Sequence, residues 1–196
     1  MRLMSIKLLP LASIVCLAAT MAGCGDFIRQ DRSSVTLVID ALEAASGAAQ
    51  TLTFSGTLQS DVVTQGGVFS DSGRVTMRLI MKDLGEVASA TNAVTINRYL
   101  VTFRRTDGRN TPGVDVPFPF DSAMTFTVAP GTTNVAGFEL VRHNAKFEQP
   151  LLGLVNSFAT LSTIADITFV GRDQAGREVS ASGSIGIQFG NFADPD

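Results

Sequence analysis

The chain has 196 residues, with 15 Lys and Arg against 18 Asp and Glu, one His and two Cys. At 45% hydrophobic and 17% charged it can bury a core and is not globally disordered. A net charge of −3 leaves no basic footprint for nucleic acid, and one His with two Cys is too little for a zinc site or a His-dependent nucleophile.

The chain opens Met1-Arg2-Leu3-Met4-Ser5-Ile6-Lys7, whose two cations form the positive start of a secretory signal. Leu8 to Ala19 is an apolar run of 12 residues, interrupted by Pro10. A membrane-crossing helix needs about 20 residues, so this run is too short to span. The segment closes on Met21-Ala22-Gly23-Cys24. That tetrapeptide resembles the lipobox of bacterial lipoproteins, with Met21 where Leu is commoner. The resemblance covers residues 1–24. It implies diacylglyceryl transfer to the Cys24 sulfur, cleavage before Cys24, and acylation of the new amino terminus, with palmitate among the attached chains.

Cysteine usage points the same way. Cys16 would be lost with the signal, leaving Cys24 alone in a chain whose export would otherwise favour paired cysteines. One acyl chain anchors only marginally, whereas the two or three of a lipobox cysteine hold durably. Removing residues 1–23 takes away Arg2 and Lys7 and no acid, moving the net charge from −3 to −5. Membrane affinity is therefore expected from the lipid and not from a polybasic surface. Gly25 follows Cys24, where the inner-membrane retention signal of some bacteria has Asp. In a cell with two membranes the outer one is favoured. The expected organisation is a signal over residues 1–23, a lipidated Cys24 with a tether through residue 34, and one domain over 35–196.

From Val35 the dominant period is two, so alternate side chains face one side of a strand. Val75, Met77, Leu79 and Met81 alternate with Arg74, Thr76, Arg78 and Lys82. Asp40 to Gln50 is Ala-rich, and the first strand is expected to end near Ala41. Asp71-Ser72-Gly73 reads as a turn before the Arg74 strand. Over Ala93 to Arg105 the phase slips: Val94 and Ile96 share one parity, Tyr99, Val101 and Phe103 the other. One extra residue near Asn97-Arg98 restores a single buried face, which predicts a β-bulge there.

Further along, Met124, Phe126 and Val128 alternate with Thr125 and Thr127, and Ala165, Ile167 and Phe169 with Asp166 and Thr168. Asp173-Gln174-Ala175-Gly176 is a hairpin loop leading into Val179, Ala181, Gly183, Ile185, Ile187 and Phe189. Pro150 to Leu161 is the one stretch with a helical pattern, Leu151, Leu152, Leu154, Val155 and Phe158 fitting a common face, and it reads equally as a packed loop or a short turn of helix. Together these runs predict an all-β, antiparallel β-sandwich of seven to nine strands with at most one short helix. The closing hairpin resembles the last two strands of immunoglobulin-like bacterial domains. With no Trp and no disulfide the antibody-type core signature is missing, and a fold analogy carries no function. The whole chain also resembles the uncharacterised lipoproteins of bacterial envelopes, which implies a location and little else.

The chemical candidates are few. His143 falls on the outward parity with Glu139. No Gly-x-Ser-x-Gly elbow, phosphate loop or dinucleotide fingerprint occurs, so neither a catalytic residue nor a cofactor is assigned. Asp107, Asn110 and Asp115 in one loop, with Asp173 and Glu178 flanking another, are oxygen ligands of the kind Ca²⁺ takes, without a Ca²⁺-loop spacing. The segment from Arg104 to Phe120 carries Arg105, Arg109, Phe118 and Phe120 in a long irregular connection, a class of loop often functional. Val116, Phe118 and Phe120 are expected to cover an open end of the core. Arg105 and Arg109 with the two rings are the candidate interaction loop for an envelope protein or polymer. The preferred reading is a lipid-anchored, non-catalytic structural or binding module of the cell envelope. The competing reading is a calcium- or small-ligand-binding lipoprotein, with a hydrolase behind it.

Overall fold

The computed structural model describes residues 33–192, so Cys24 and most of the expected tether lie outside the described residues. Eight strands are present among them: β1 (Val35–Ala45), β2 (Thr57–Asp61), β3 (Asp71–Met81), β4 (Val94–Arg104), β5 (Phe120–Val128), β6 (Asn134–Val141), β7 (Leu161–Asp173) and β8 (Glu178–Gly190). They form a three-stranded sheet, β1-β3-β6, and a five-stranded sheet, β2-β8-β7-β4-β5. The alternating runs supply the inner faces. Val75, Met77, Ile167, Phe169, Ile187 and Phe189 are all buried. The all-β sandwich expected from the period-two pattern is the fold.

The bulge falls where the phase slip placed it. The ladders from β4 to both neighbours shift register between Ile96 and Arg98. Against β7, strand β4 carries the extra residue, Asn97. Against β5 the extra residue is on β5, between Ala123 and Phe126. Val94, Ile96, Tyr99, Val101 and Phe103 thereby all point inward. The shift also brings backbones together, because a Cβ on Gly171 would lie 2.5 Å from the Thr95 carbonyl oxygen and 2.8 Å from Ile96 Cα. Only glycine fits that crossing.

Tyr99 then closes the sandwich. Its ring packs against Phe138 at 5.2 Å between centroids, and Phe138 packs on Phe169 at 5.3 Å. Its hydroxyl donates to the Glu139 carbonyl at 3.0 Å and accepts the Glu139 N–H at 3.2 Å. Glu139 is on β6, an edge strand of the opposite sheet, so one phenol satisfies two otherwise unpaired backbone groups across the core. Gly73, paired with Phe138, leaves room for that ring: a Cβ there would sit 2.3 Å from it.

Four expectations need correction, and one left open is decided. β1 runs to Ala45 and not Ala41, bulging at Asp40 and pairing with β3 along its length. β3 begins at Asp71, which is a buried strand residue and not a turn. The sheets are not purely antiparallel, because β2 pairs with β8 in parallel. These two strands are far apart in sequence, so no tight turn dictates their direction. Of the alternatives open for Pro150 to Leu161, the short turn is the one present, a 3-10 turn at Leu151–Leu154. Leu151 is buried with Leu154 and Val155 packed against the core, while Leu152 and Phe158 face outward. Finally, Ser33 and Ser34 belong to the folded body and not to a tether. Ser33 is buried and donates to Asp173 Oδ2 at 3.0 Å, and the Ser34 carbonyl accepts the Lys82 N–H at 2.9 Å.

That last contact orients the molecule. The chain enters beside the β7–β8 hairpin, at the end where β3 finishes and β4 starts. The connections 105–119 and 142–160 lie at the opposite end, where β4 finishes and β7 starts.

Candidate functional site

The two long connections of that opposite end are joined by an arginine. Arg142, which starts the second, lies with its guanidinium carbon 4.5 Å above the ring of Phe120, which ends the first. Phe120 and Val116 are buried and seal this end of the core, as expected. Phe118 does not: it is 45% exposed, its ring lying over Gly113, whose φ of +74° and missing Cβ make the seat. Proline on both sides of Phe118 stiffens the approach without turning the ring inward.

The arginines are held by one carboxylate. Arg105 makes a two-pronged contact with Asp107, at 3.0 Å from Nε to Oδ1 and 2.6 Å from Nη2 to Oδ2. Arg109 donates to the same Oδ2 from Nε at 3.1 Å and Nη2 at 3.0 Å. The side-chain hydrogen bonds from Arg105 hold the Asp107 carboxyl well below the usual carboxylate range, with the Arg109 N–H and guanidinium adding to it. Asn110 Oδ1 accepts the Arg105 N–H at 2.6 Å and Asp115 Oδ2 the Thr111 N–H at 3.2 Å. Each of the three oxygen ligands considered for calcium accepts a hydrogen bond from the loop's own donors. Asp173, in the other loop considered for calcium, accepts from Ser33 Oγ and from the Ala175 and Arg177 N–H groups. Among the described residues no group of three or more His, Cys, Asp or Glu is placed to hold a metal ion.

The second connection is fastened from within. Lys146 sits in a 3-10 turn, His143–Phe147, with its side chain fully buried. Its Nζ lies 3.0 Å from Asp71 Oδ2 and donates to the Asp61 carbonyl at 2.7 Å. Asp71 also accepts the Ser60 hydroxyl at 2.6 Å and the Gly47 N–H at 3.0 Å. The pair therefore ties together β2, β3, the loop after β1 and the second connection. A buried ion pair survives only when its remaining lone pairs and protons are satisfied like this.

Around this fastening the connection displays apolar groups. Phe147 is 52% exposed, Leu152 46%, and Phe158 entirely so. His143 is exposed as expected, its ring 5.0 Å from that of Phe147. Val155, Asn156, Ser157 and Phe158 line a cleft of about 490 Å³ with Asn191 and Phe192. Asn191 Nδ2 donates to the Val155 carbonyl at 2.6 Å and holds the two walls together. None of the six lining side chains titrates near neutral pH. The cleft can recognise by shape, apolar contact and amide hydrogen bonds, and it offers no acid or base.

Sequence reasoning singled out the first connection and missed the second. Asp71 carried a signal, since it shares the inward parity of Val75 and Met77. Lys146 carried none, because it lies in irregular chain without a period. No family model matches this chain, and neither a curated protein nor a solved structure is significantly similar to it.

Proposed function

We propose that this chain is a lipid-anchored protein of the bacterial cell envelope, acting as a non-catalytic binding or structural module. Acyl chains on Cys24 hold it to the membrane, and its recognition surface is the end of the sandwich built from residues 105–119 and 142–160. The observation that carries the reading is the opposition of these two ends. Ser33, nine residues after the lipobox cysteine, is locked to Asp173 at one end, and the irregular, apolar-tipped connections stand at the other. An anchor at Cys24 attaches at the end opposite those connections, which leaves them for an envelope protein or polymer to meet. The cleft chemistry favours binding over catalysis, because its lining offers rings, amides and a hydroxyl.

The test has two arms. Metabolic labelling with palmitate marks the wild type, and Cys24→Ser abolishes the label and leaves an unprocessed or mislocalised precursor. An unmodified Cys24 in the processed wild type refutes the anchor. Cross-linking in the cell envelope from a photoreactive residue at 158 captures a partner that the same residue at 132, at the other end, does not. Equal capture at both ends refutes the recognition surface.

A further inference from the structure

We infer that the loop between β3 and β4 dips its two apolar side chains, Leu84 and Val87, into the lipid surface and so sets the orientation of the domain. The inference rests on the acylation of Cys24 proposed above. Leu84 is 95% exposed and Val87 90%, more than any other large apolar side chain of the described residues except Phe158 at the far end. Both ends of their loop hold the point where the chain enters the domain. The Lys82 N–H donates to the Ser34 carbonyl at 2.9 Å, and Asn92 Nδ2 donates to Ser34 Oγ at 3.1 Å.

Length puts the contact within reach. Ser33 follows Cys24 by nine positions, at most about 30 Å of extended chain. Leu84 is two residues beyond Lys82, about 7 Å of backbone from the residue that bonds Ser34. An acylated Cys24 therefore leaves these side chains able to reach the headgroup layer, where partly inserted apolar groups lose contact with water. The loop is built to present them. Asp83 Oδ1 accepts the Gly85 N–H at 2.8 Å and the Glu86 N–H donates to the Asp83 carbonyl at 3.3 Å, a tight turn with Leu84 near its tip. The exposed charges beside them are Lys82, Asp83 and Glu86, which carry a net negative charge. The surface they suit is zwitterionic, and an anionic one repels them.

The experiment uses the acylated, signal-cleaved protein with Leu84→Cys. Cys24 is then blocked by lipid, so residue 84 carries the one free thiol for a polarity-sensitive fluorophore. Val114→Cys, 67% exposed at the opposite end, is the control. In phosphatidylcholine vesicles containing nitroxide lipid, the probe at 84 shifts its emission to the blue. It is also quenched about twofold or more beyond the probe at 114. Replacing a third of the lipid by an anionic one at low salt weakens that quenching, and salt restores it. Equal quenching at both positions overturns the inference. So does a blue shift at 84 that depends on protein concentration without vesicles, which reports a second copy on the loop. Intact mass separates the two readings. A processed chain without acyl mass ends both, whereas an acylated chain without quenching at 84 ends only this one.

Discussion

Lys146 Nζ and Asp71 Oδ2 stand 3.0 Å apart with neither side chain reaching solvent, and they fasten an irregular connection to both sheets. Removing one partner strands the other charge in the core. Lys146→Met and Asp71→Leu should each lower stability by about 3–5 kcal/mol in urea unfolding, and the double variant by less than their sum. Full additivity would show that the two charges do not depend on each other.

Tyr99 and the bulge before it make a second prediction. Tyr99→Phe keeps the ring packing and strips the Glu139 N–H and carbonyl of their shared partner, so it should cost about 1–3 kcal/mol. Deleting Asn97 puts Ile96, Tyr99, Val101 and Phe103 on one unbroken period-two parity, so the variant should keep a cooperative transition by circular dichroism and the inward set should stay inward. Loss of that transition would show that the strand needs the bulge itself and not only a matched parity.

On β8, Ile187 faces the core and Ser182 the solvent. Ile187→Ala should cost about 2–5 kcal/mol by denaturant melt and Ser182→Ala about 0.5 kcal/mol or less. Ser182 shares a neutral hydrogen bond with Thr168 Oγ1 at 2.9 Å, whereas the Ser184 hydroxyl, on the same wet face, donates to the charged Asp166 Oδ1 at 2.5 Å beside Arg104. Ser184→Ala should therefore exceed Ser182→Ala, and equal losses would show that this contact contributes nothing.

The first connection divides between its two rings. Phe120→Ala empties a buried site and removes the seat of Arg142, so its melting temperature should fall by several degrees. Phe118→Ala, on the half-exposed ring, should change it little. Equal falls would place Phe118 in the core after all.

Asp107 predicts an acid response. Its carboxyl is held below the usual range in the folded chain and returns to it on unfolding. The resulting stabilisation is complete above the unfolded value and is lost as pH falls through the lower, folded one. The carboxyl carbon shift of Asp107, followed by NMR, should titrate below those of exposed aspartates without an arginine partner. Arg105→Ala with Arg109→Ala should raise its midpoint into the ordinary range, and an unmoved midpoint would exclude the arginines as the cause.

What the sequence determined by itself was whatever one strand can encode alone. Parity placed Met77, Phe169, Ile187 and Phe189 inside, because a strand has only two faces. The slip between Ile96 and Tyr99 located the bulge, because only one added residue reconciles two parities. The tertiary structure decided everything that needs two segments at once. The parallel β2–β8 pair, the Lys146–Asp71 fastening and the Arg142–Phe120 contact each join residues far apart in the chain, with no period to announce them. Phe118 and Phe120 share a parity and a composition, yet one ring is buried and the other is not. Burial there depends on what the opposite connection brings to cover it, and that is a property of the assembled end of the sandwich.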